Sequence, residues 1–195
     1  GGAGFIGSNI VKHLIDQGNN VRVIDNFSSG RRSNIEPLFD NIEFIEGDVR
    51  DFWTVNRAVQ GTDYVLHQAA LPSVQRSIDN PLTSNEVNIN GTLNLLEASR
   101  FHKVKRFVYA SSSSIYGDTE VMPKNESMRP SPLSPYAISK LAGENYCRIF
   151  YQLYGLETIA LRYFNVFGPN QNPHSQYSAV IPKTIVALLR GKQPI

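Results

Sequence analysis

Seven residues at the head of the chain, Gly1-Gly2-Ala3-Gly4-Phe5-Ile6-Gly7, constrain the fold more than any other segment. Gly1, Gly4 and Gly7 are spaced G-x-x-G-x-x-G. Behind them, Ser8 to Ile15 repeats apolar residues at helical spacing until Gly18 offers a stop. A glycine turn that runs directly into a helix lets the backbone close tightly and approach a pyrophosphate, whose charge then rests at the helix N-terminus. Next comes Val21-Arg22-Val23-Ile24-Asp25, a β-branched strand ending in an acid 18 residues beyond Gly7. An acid at that place suits the ribose 2′-hydroxyl of NAD and repels the 2′-phosphate of NADP, so NAD is favoured. Arg31 and Arg32 follow closely and weigh against that preference.

Strand-like runs recur at 42–45, 64–67, 106–110 and 157–161, with helical stretches between most of them. Asn80-Pro81 and Ser134-Pro135 each read as an N-cap followed by proline at the first helical position. They predict two long helices, over about 81–101 and 135–154. Strands alternating with helices imply βαβ units and a mostly parallel sheet. The polar, proline-containing stretch 117–134 joins a core strand to a core helix and is expected to be a loop over a site. An apolar helix is expected within 181–195.

Composition narrows the class. With 195 residues and 41% hydrophobic residues the chain can bury one sizeable core. Lys and Arg number 19 against 17 Asp and Glu, and a net charge of +2 gives no reason to expect a nucleic-acid or membrane binder. A single cysteine, Cys147, excludes an internal disulfide framework and a cysteine-based zinc site. The four histidines, His13, His67, His102 and His174, show no metal-ligand spacing, so no metal is expected. No apolar run reaches the roughly 18 residues of a membrane span, and the default expectation is a cytoplasmic α/β protein.

Tyr136 and Lys140 stand i, i+4 at the start of the second long helix, so both project from one face. The strand before it ends in Ser111-Ser112-Ser113-Ser114. Tyrosine titrates near 10, too high for a base at neutral pH. A nearby ammonium and a positive nicotinamide ring would both favour the phenolate. Such a base could take a proton from a sugar hydroxyl while hydride leaves the same carbon, and a serine could hydrogen-bond the reacting oxygen.

With these residues in view, the chain resembles the extended short-chain dehydrogenase/reductase family, and within it the UDP-sugar 4-epimerases. The likeness rests on the glycine loop, Asp25-Asn26, Gly47-Asp48-Val49, His67-Gln68-Ala69-Ala70, Asn88 to Thr92, Ser111 to Gly117, Tyr136 to Lys140 and Arg162 to Pro169. It implies a Rossmann-type doubly wound parallel sheet, with residues 1–162 as the NAD domain and 163–195 opening the nucleotide-sugar region. By position it assigns Tyr136 and Lys140 as the catalytic pair, and Ser112 or its neighbour Ser113 as the catalytic serine. It puts Phe5, Ile6, Asn26, Asp48, Val49, Ala69, Ala70 and Tyr163 beside NAD. Ser73, Asn165, Ala179 and Val180 fall where the family holds the UDP-sugar, and the two long helices fall at its homodimer interface.

Two departures go with the resemblance. The family's opening strand and most of its C-terminal substrate domain are absent from this sequence, so the sheet is expected to be truncated and the chain to be a fragment of a longer product. Dehydratases and decarboxylases of the family carry acids directly after the catalytic hydroxyl residue, where this chain has Ser113 and Ser114. That favours simple epimerisation, with uronate epimerisation still open. A non-catalytic NAD sensor is the reading from another class, and such proteins lose the Tyr or the Lys that are both kept here.

Overall fold

The computed structural model describes residues 1–172 and 180–193. Helix α1 (Phe5–Asp16) leads to strand β1 (Val21–Asp25), two short 3₁₀ segments and β2 (Ile42–Glu46). Then come α2 (Phe52–Val59), β3 (Tyr64–His67), α3 (Val74–Asp79), α4 (Pro81–Asn85) and α5 (Gly91–Phe101). Strand β4 (Arg106–Ser112), helix α6 (Pro135–Tyr154), β5 (Thr158–Tyr163) and α7 (Val180–Leu189) complete the order. All strand pairings are parallel: β1 with β2, and β3 with β4 with β5.

Alternation along β1 accounts for the layering. Val23 belongs to a core with Ala3, Val11 and Ile35, whereas Ile24 packs against the larger core of Val55, Leu96, Phe107 and Phe150. Neighbouring strand residues face opposite sides of a sheet, so these are the two faces of one doubly wound layer. Between β1 and β3 there is no strand pairing. The glycine loop threads between their carboxyl ends instead. The Gly1 nitrogen donates to the Ile24 carbonyl at 2.6 Å, and a Cβ on Gly1 would stand 2.4 Å from the Ala69 nitrogen.

Local chemistry sets the long helix. Ser134 caps α6 by accepting the Ala137 amide at 3.1 Å, Pro135 opens it, and Gly155 ends it at φ 71°. The expected unbroken helix over 81–101 is instead α4 and α5 joined by a π-helical turn, Glu86–Asn90. The wide turn presents Asn88, whose side chain accepts the Leu71 amide at 2.8 Å and donates to the Leu71 carbonyl and to Ser139 Oγ. One amide thus ties the chain after β3 to α6. The stretch 117–134 also departs from expectation. Its return is pinned by the Ser131 amide on the Ile115 carbonyl, and none of its residues lines the main cavity.

Asn88 is 1% exposed, so truncating it strands buried partners on two elements. Asn88→Ala is expected to lower the unfolding free energy of the full-length protein by about 2–4 kcal/mol in urea melts. A loss below about 0.5 kcal/mol would show that the tie carries no weight.

Candidate active site

A cavity of about 730 Å³ opens along the carboxyl ends of the strands. That is where open α/β sheets bind ligands, at the crevice beside the first helix. One end of it is built from Gly1, Gly4, Phe5, Ile6, Gly7 and Asp25. Gly7 is required by close approach, because a Cβ there would lie 2.1 Å from the Gly1 carbonyl oxygen. At Gly4 a Cβ would meet little but that same oxygen, at 3.3 Å, and would otherwise fill open space. No side chain caps α1, so its first-turn amides have neither a capping side chain nor an intrahelical carbonyl to reach. This cradle fits a pyrophosphate.

Asp25 does two things at once. Its Oδ2 accepts the Ala3 amide at 2.9 Å and its Oδ1 accepts the Phe27 amide at 2.8 Å, which fixes the loop on the strand end. Oδ2 also lies 3.5 Å from the Gly1 amino group, and Oδ1 keeps a further lone pair for a ligand hydroxyl. Arg31 reaches the same end of the cavity, while Arg32 is held away over the Phe27 and Phe39 rings.

At the other end stand Ser112, Tyr136 and Lys140. Lys140 is 4% exposed, and its ammonium donates to the Ala110 carbonyl at 2.8 Å and lies 5.8 Å from the Tyr136 ring centre. Burial lowers it to about 8. Ser112 Oγ accepts the Ser114 amide at 3.1 Å and lines the cavity beside Tyr136. Burial pushes the Tyr136 phenol up, and the neighbouring Ser112 hydroxyl works the other way. Of the two charges expected to favour the phenolate, the Lys140 ammonium does not offset burial, which leaves that part to a nicotinamide ring.

The structure also brings Ala69, Ala70, Ser73, Tyr163 and Asn165 to the cavity wall. Ser113 is not on that wall; it opens the 3₁₀ turn after β4. Asn26, Asp48 and Val49 also stand off it. Asp48 is bonded by Arg50 and Asn26, the Arg50 bonds being the main cause of its value falling to about 2, and Val49 is buried in the core. Val180, at the head of α7, is exposed and off the wall, and Ala179 lies outside the described residues.

Sequence reading does not place Gln75, Arg76 and Asp79 on the cavity, yet α3 puts all three there. The available signal was Ser73, which caps that helix by accepting the Arg76 amide at 2.8 Å. Among the described residues there is no cluster of metal-ligating side chains, and no helix is long and apolar enough to cross a membrane.

Because Lys140 falls from 10.5 to about 8 in the fold, the unfolded chain binds more protons between those values, and stability rises with pH across that window. Lys140→Met is expected to raise stability at pH 7 by about 1–3 kcal/mol, a gain that shrinks above pH 8. Urea melts of the full-length pair at several pH values measure this. A variant less stable than the parent at pH 7 would contradict it.

Comparisons with known proteins agree on the family. The NAD dependent epimerase/dehydratase family matches residues 1–195. A UDP-glucose 4-epimerase from Mycolicibacterium smegmatis is 38% identical over 196 residues, covering 98% of this chain and 62% of that protein. A UDP-N-acetylglucosamine 4-epimerase from Methanobrevibacter ruminantium, solved with UDP-N-acetylmuramic acid, superposes with TM-score 0.91 at 45% identity, over 99% of this chain and 62% of that one. The Thermus thermophilus UDP-glucose 4-epimerase, solved with NAD, gives TM-score 0.89 at 43% identity, over 98% and 62%. The chain thus spans about three-fifths of the length of these relatives. With its glycine cradle, its parallel α/β sheet and a match over its whole length, the chain belongs to the NAD dependent epimerase/dehydratase family.

Proposed function

We propose that the full-length protein epimerises a UDP-sugar at C4 with NAD as resident cofactor. The observation that carries the reading is the convergence of Ser112, Tyr136 and buried Lys140 on the same cavity as the glycine cradle. NAD bound there would accept a hydride from C4 and return it. Gly1, Gly4, Phe5, Ile6 and Gly7 would hold its pyrophosphate and Asp25 its ribose hydroxyls.

The chain's own residues supply the proton chemistry. Tyr136 takes the proton of the C4 hydroxyl and gives it back after inversion. Ser112 is placed to donate to the same oxygen, its Oγ already accepting the Ser114 amide. Lys140 sits under the tyrosine as the nearest cation on the helix. Ser73 and Asn165 are placed to orient the sugar nucleotide. The carboxylates lining the cavity are Asp25 and Asp79, and Ser113 and Ser114 occupy the positions after Ser112. Elimination at C5–C6 needs an acid beside that serine, so epimerisation without dehydration is favoured. Both Tyr136 and Lys140 are present, which speaks against a sensor without catalysis.

Residues 1–162 then form the cofactor domain, and 163–195 begin the part that holds the sugar nucleotide. A homodimer through α4–α5 and α6 is supported by exposed apolar side chains: Leu82 and Phe101 on the first pair, and Ile138, Ile149 and Leu153 along one stripe of α6.

Tyr136→Phe in the full-length protein is expected to lower kcat by about 10²–10⁴-fold with UDP-glucose or UDP-N-acetylglucosamine. NAD content and KM should stay near those of the parent. Equal turnover by variant and parent would remove Tyr136 from the chemistry. Absence of turnover on both sugars and on UDP-glucuronic acid in the parent would favour the sensor.

A further inference from the structure

Below the catalytic pair lies a second polar cluster that the reaction does not use. Tyr136, Lys140 and Glu144 follow one another at i, i+4 and i+8 on α6, so Glu144 stands one turn deeper on nearly the same face. Its carboxylate accepts three bonds. Arg162 Nε reaches Oε1 at 3.0 Å, Arg162 Nη2 reaches Oε2 at 2.9 Å, and Ser111 Oγ reaches Oε1 at 2.5 Å. The pair is withdrawn from solvent, with side-chain exposures of 17% for Arg162 and 13% for Glu144. The Arg162 guanidinium also lies 4.9 Å from the Tyr116 ring centre.

What the carboxylate grips is specific. Ser111 and Arg162 are register partners on β4 and β5, and the next register pair is Ser112 and Tyr163, both on the cavity wall. One residue before Ser111, the Ala110 carbonyl receives Lys140. Glu144 therefore fixes α6 to two adjacent strand ends, one residue from the serine that must meet Tyr136. A bidentate arginine fork sets angle as well as distance, which a single contact would not.

We infer that Glu144, with Arg162 and Ser111, is a positioning group that holds the Tyr136 and Ser112 hydroxyls in register for proton transfer. The inference rests on the catalytic reading above. A buried pair of this kind is weak evidence for stability, since well-packed apolar residues often serve as well. Its geometry matters here because displacements near 1 Å at a reacting centre can lower rate by about 10²-fold. Besides Ser112, the titratable or charged groups around the Tyr136–Lys140 pair are Tyr109 on β4, whose ring centre lies 5.1 Å from the Lys140 ammonium, and His67 on β3, whose ring packs on Tyr109. Arg76 and Asp79 of α3 line the same cavity.

The test uses Glu144→Gln, Arg162→Lys and Ser111→Ala in the full-length enzyme. Each is expected to lower kcat, by about 10-fold or more for Glu144→Gln, with KM within about twofold. A second readout needs no turnover: the ultraviolet phenolate titration of Tyr136, taken as the difference between each protein and its Tyr136→Phe counterpart. Displacement of Ser112 from Tyr136 should move that titration upward by at least about half a unit. A fall in thermal midpoint with kcat and the titration unchanged would overturn the inference and leave a structural clip. Should Glu144→Gln fail to fold, Ser111→Ala, which deletes one hydroxyl, decides by the same two readouts. If Tyr136→Phe itself kept parent activity, the catalytic reading would fall, and the titration would still judge the positioning.

Discussion

A single buried ammonium organises the catalytic end of this molecule. Lys140 has lost its water, and the Ala110 carbonyl at 2.8 Å is the bond that replaces it. That bond draws the first turns of α6 onto the end of β4. Gly143 permits the approach, because a Cβ there would lie 2.3 Å from the Tyr109 hydroxyl. With the helix seated, Tyr136 and Ser112 line one cavity, and the Lys140 charge lies 5.1 Å from the Tyr109 ring centre and 5.8 Å from that of Tyr136. A residue kept for stability would not be a lysine in this place. The desolvation that lowers it to about 8 works against folding at neutral pH, as groups at functional sites often do.

The opposite end is governed by close backbone approach rather than charge. Gly7 admits the Gly1 carbonyl, Asp25 binds the amides on either side of the turn, and Ala3 is fully buried beneath it. These contacts hold the α1 amides at the mouth of the cavity. The two ends share one crevice because the carboxyl ends of β1, β3 and β4 all border it, at Asp25, Gln68 and Ser112. Electrostatics and topology thus meet: a polar cradle for a dinucleotide on one side, a phenol beside a serine on the other.

What the sequence made legible was local. The helix caps at Asn80 and Ser134, the five strands and the glycine loop follow from residues a few positions apart, and the parallel α/β class follows from their alternation. Long-range contacts were not legible. The π-turn exists around Asn88, whose partners lie 17 and 51 residues away, and no periodicity records that. Glu144 and Arg162 look like a solvated acid and base until α6 and β5 are set side by side. The same holds for the loop 117–134, whose polarity suggested a cavity cover but whose path is set by Ser131 on Ile115. Titration is the sharpest case. The i, i+4 spacing revealed the Tyr136–Lys140 pair but not the burial that pushes the phenol up.

The central claim is that the hydrogen at C4 of the sugar leaves and returns as hydride within this one crevice, while Tyr136 handles only the hydroxyl proton. Following deuterium at C4 through turnover by the full-length protein in ordinary water tests it most directly. The account requires the label to remain at C4 in the inverted product, with none released to solvent. Exchange of that deuterium for solvent hydrogen would mean that C4 is deprotonated instead, and the assignment of Tyr136, Ser112 and the glycine cradle to one hydride-transfer site would be wrong.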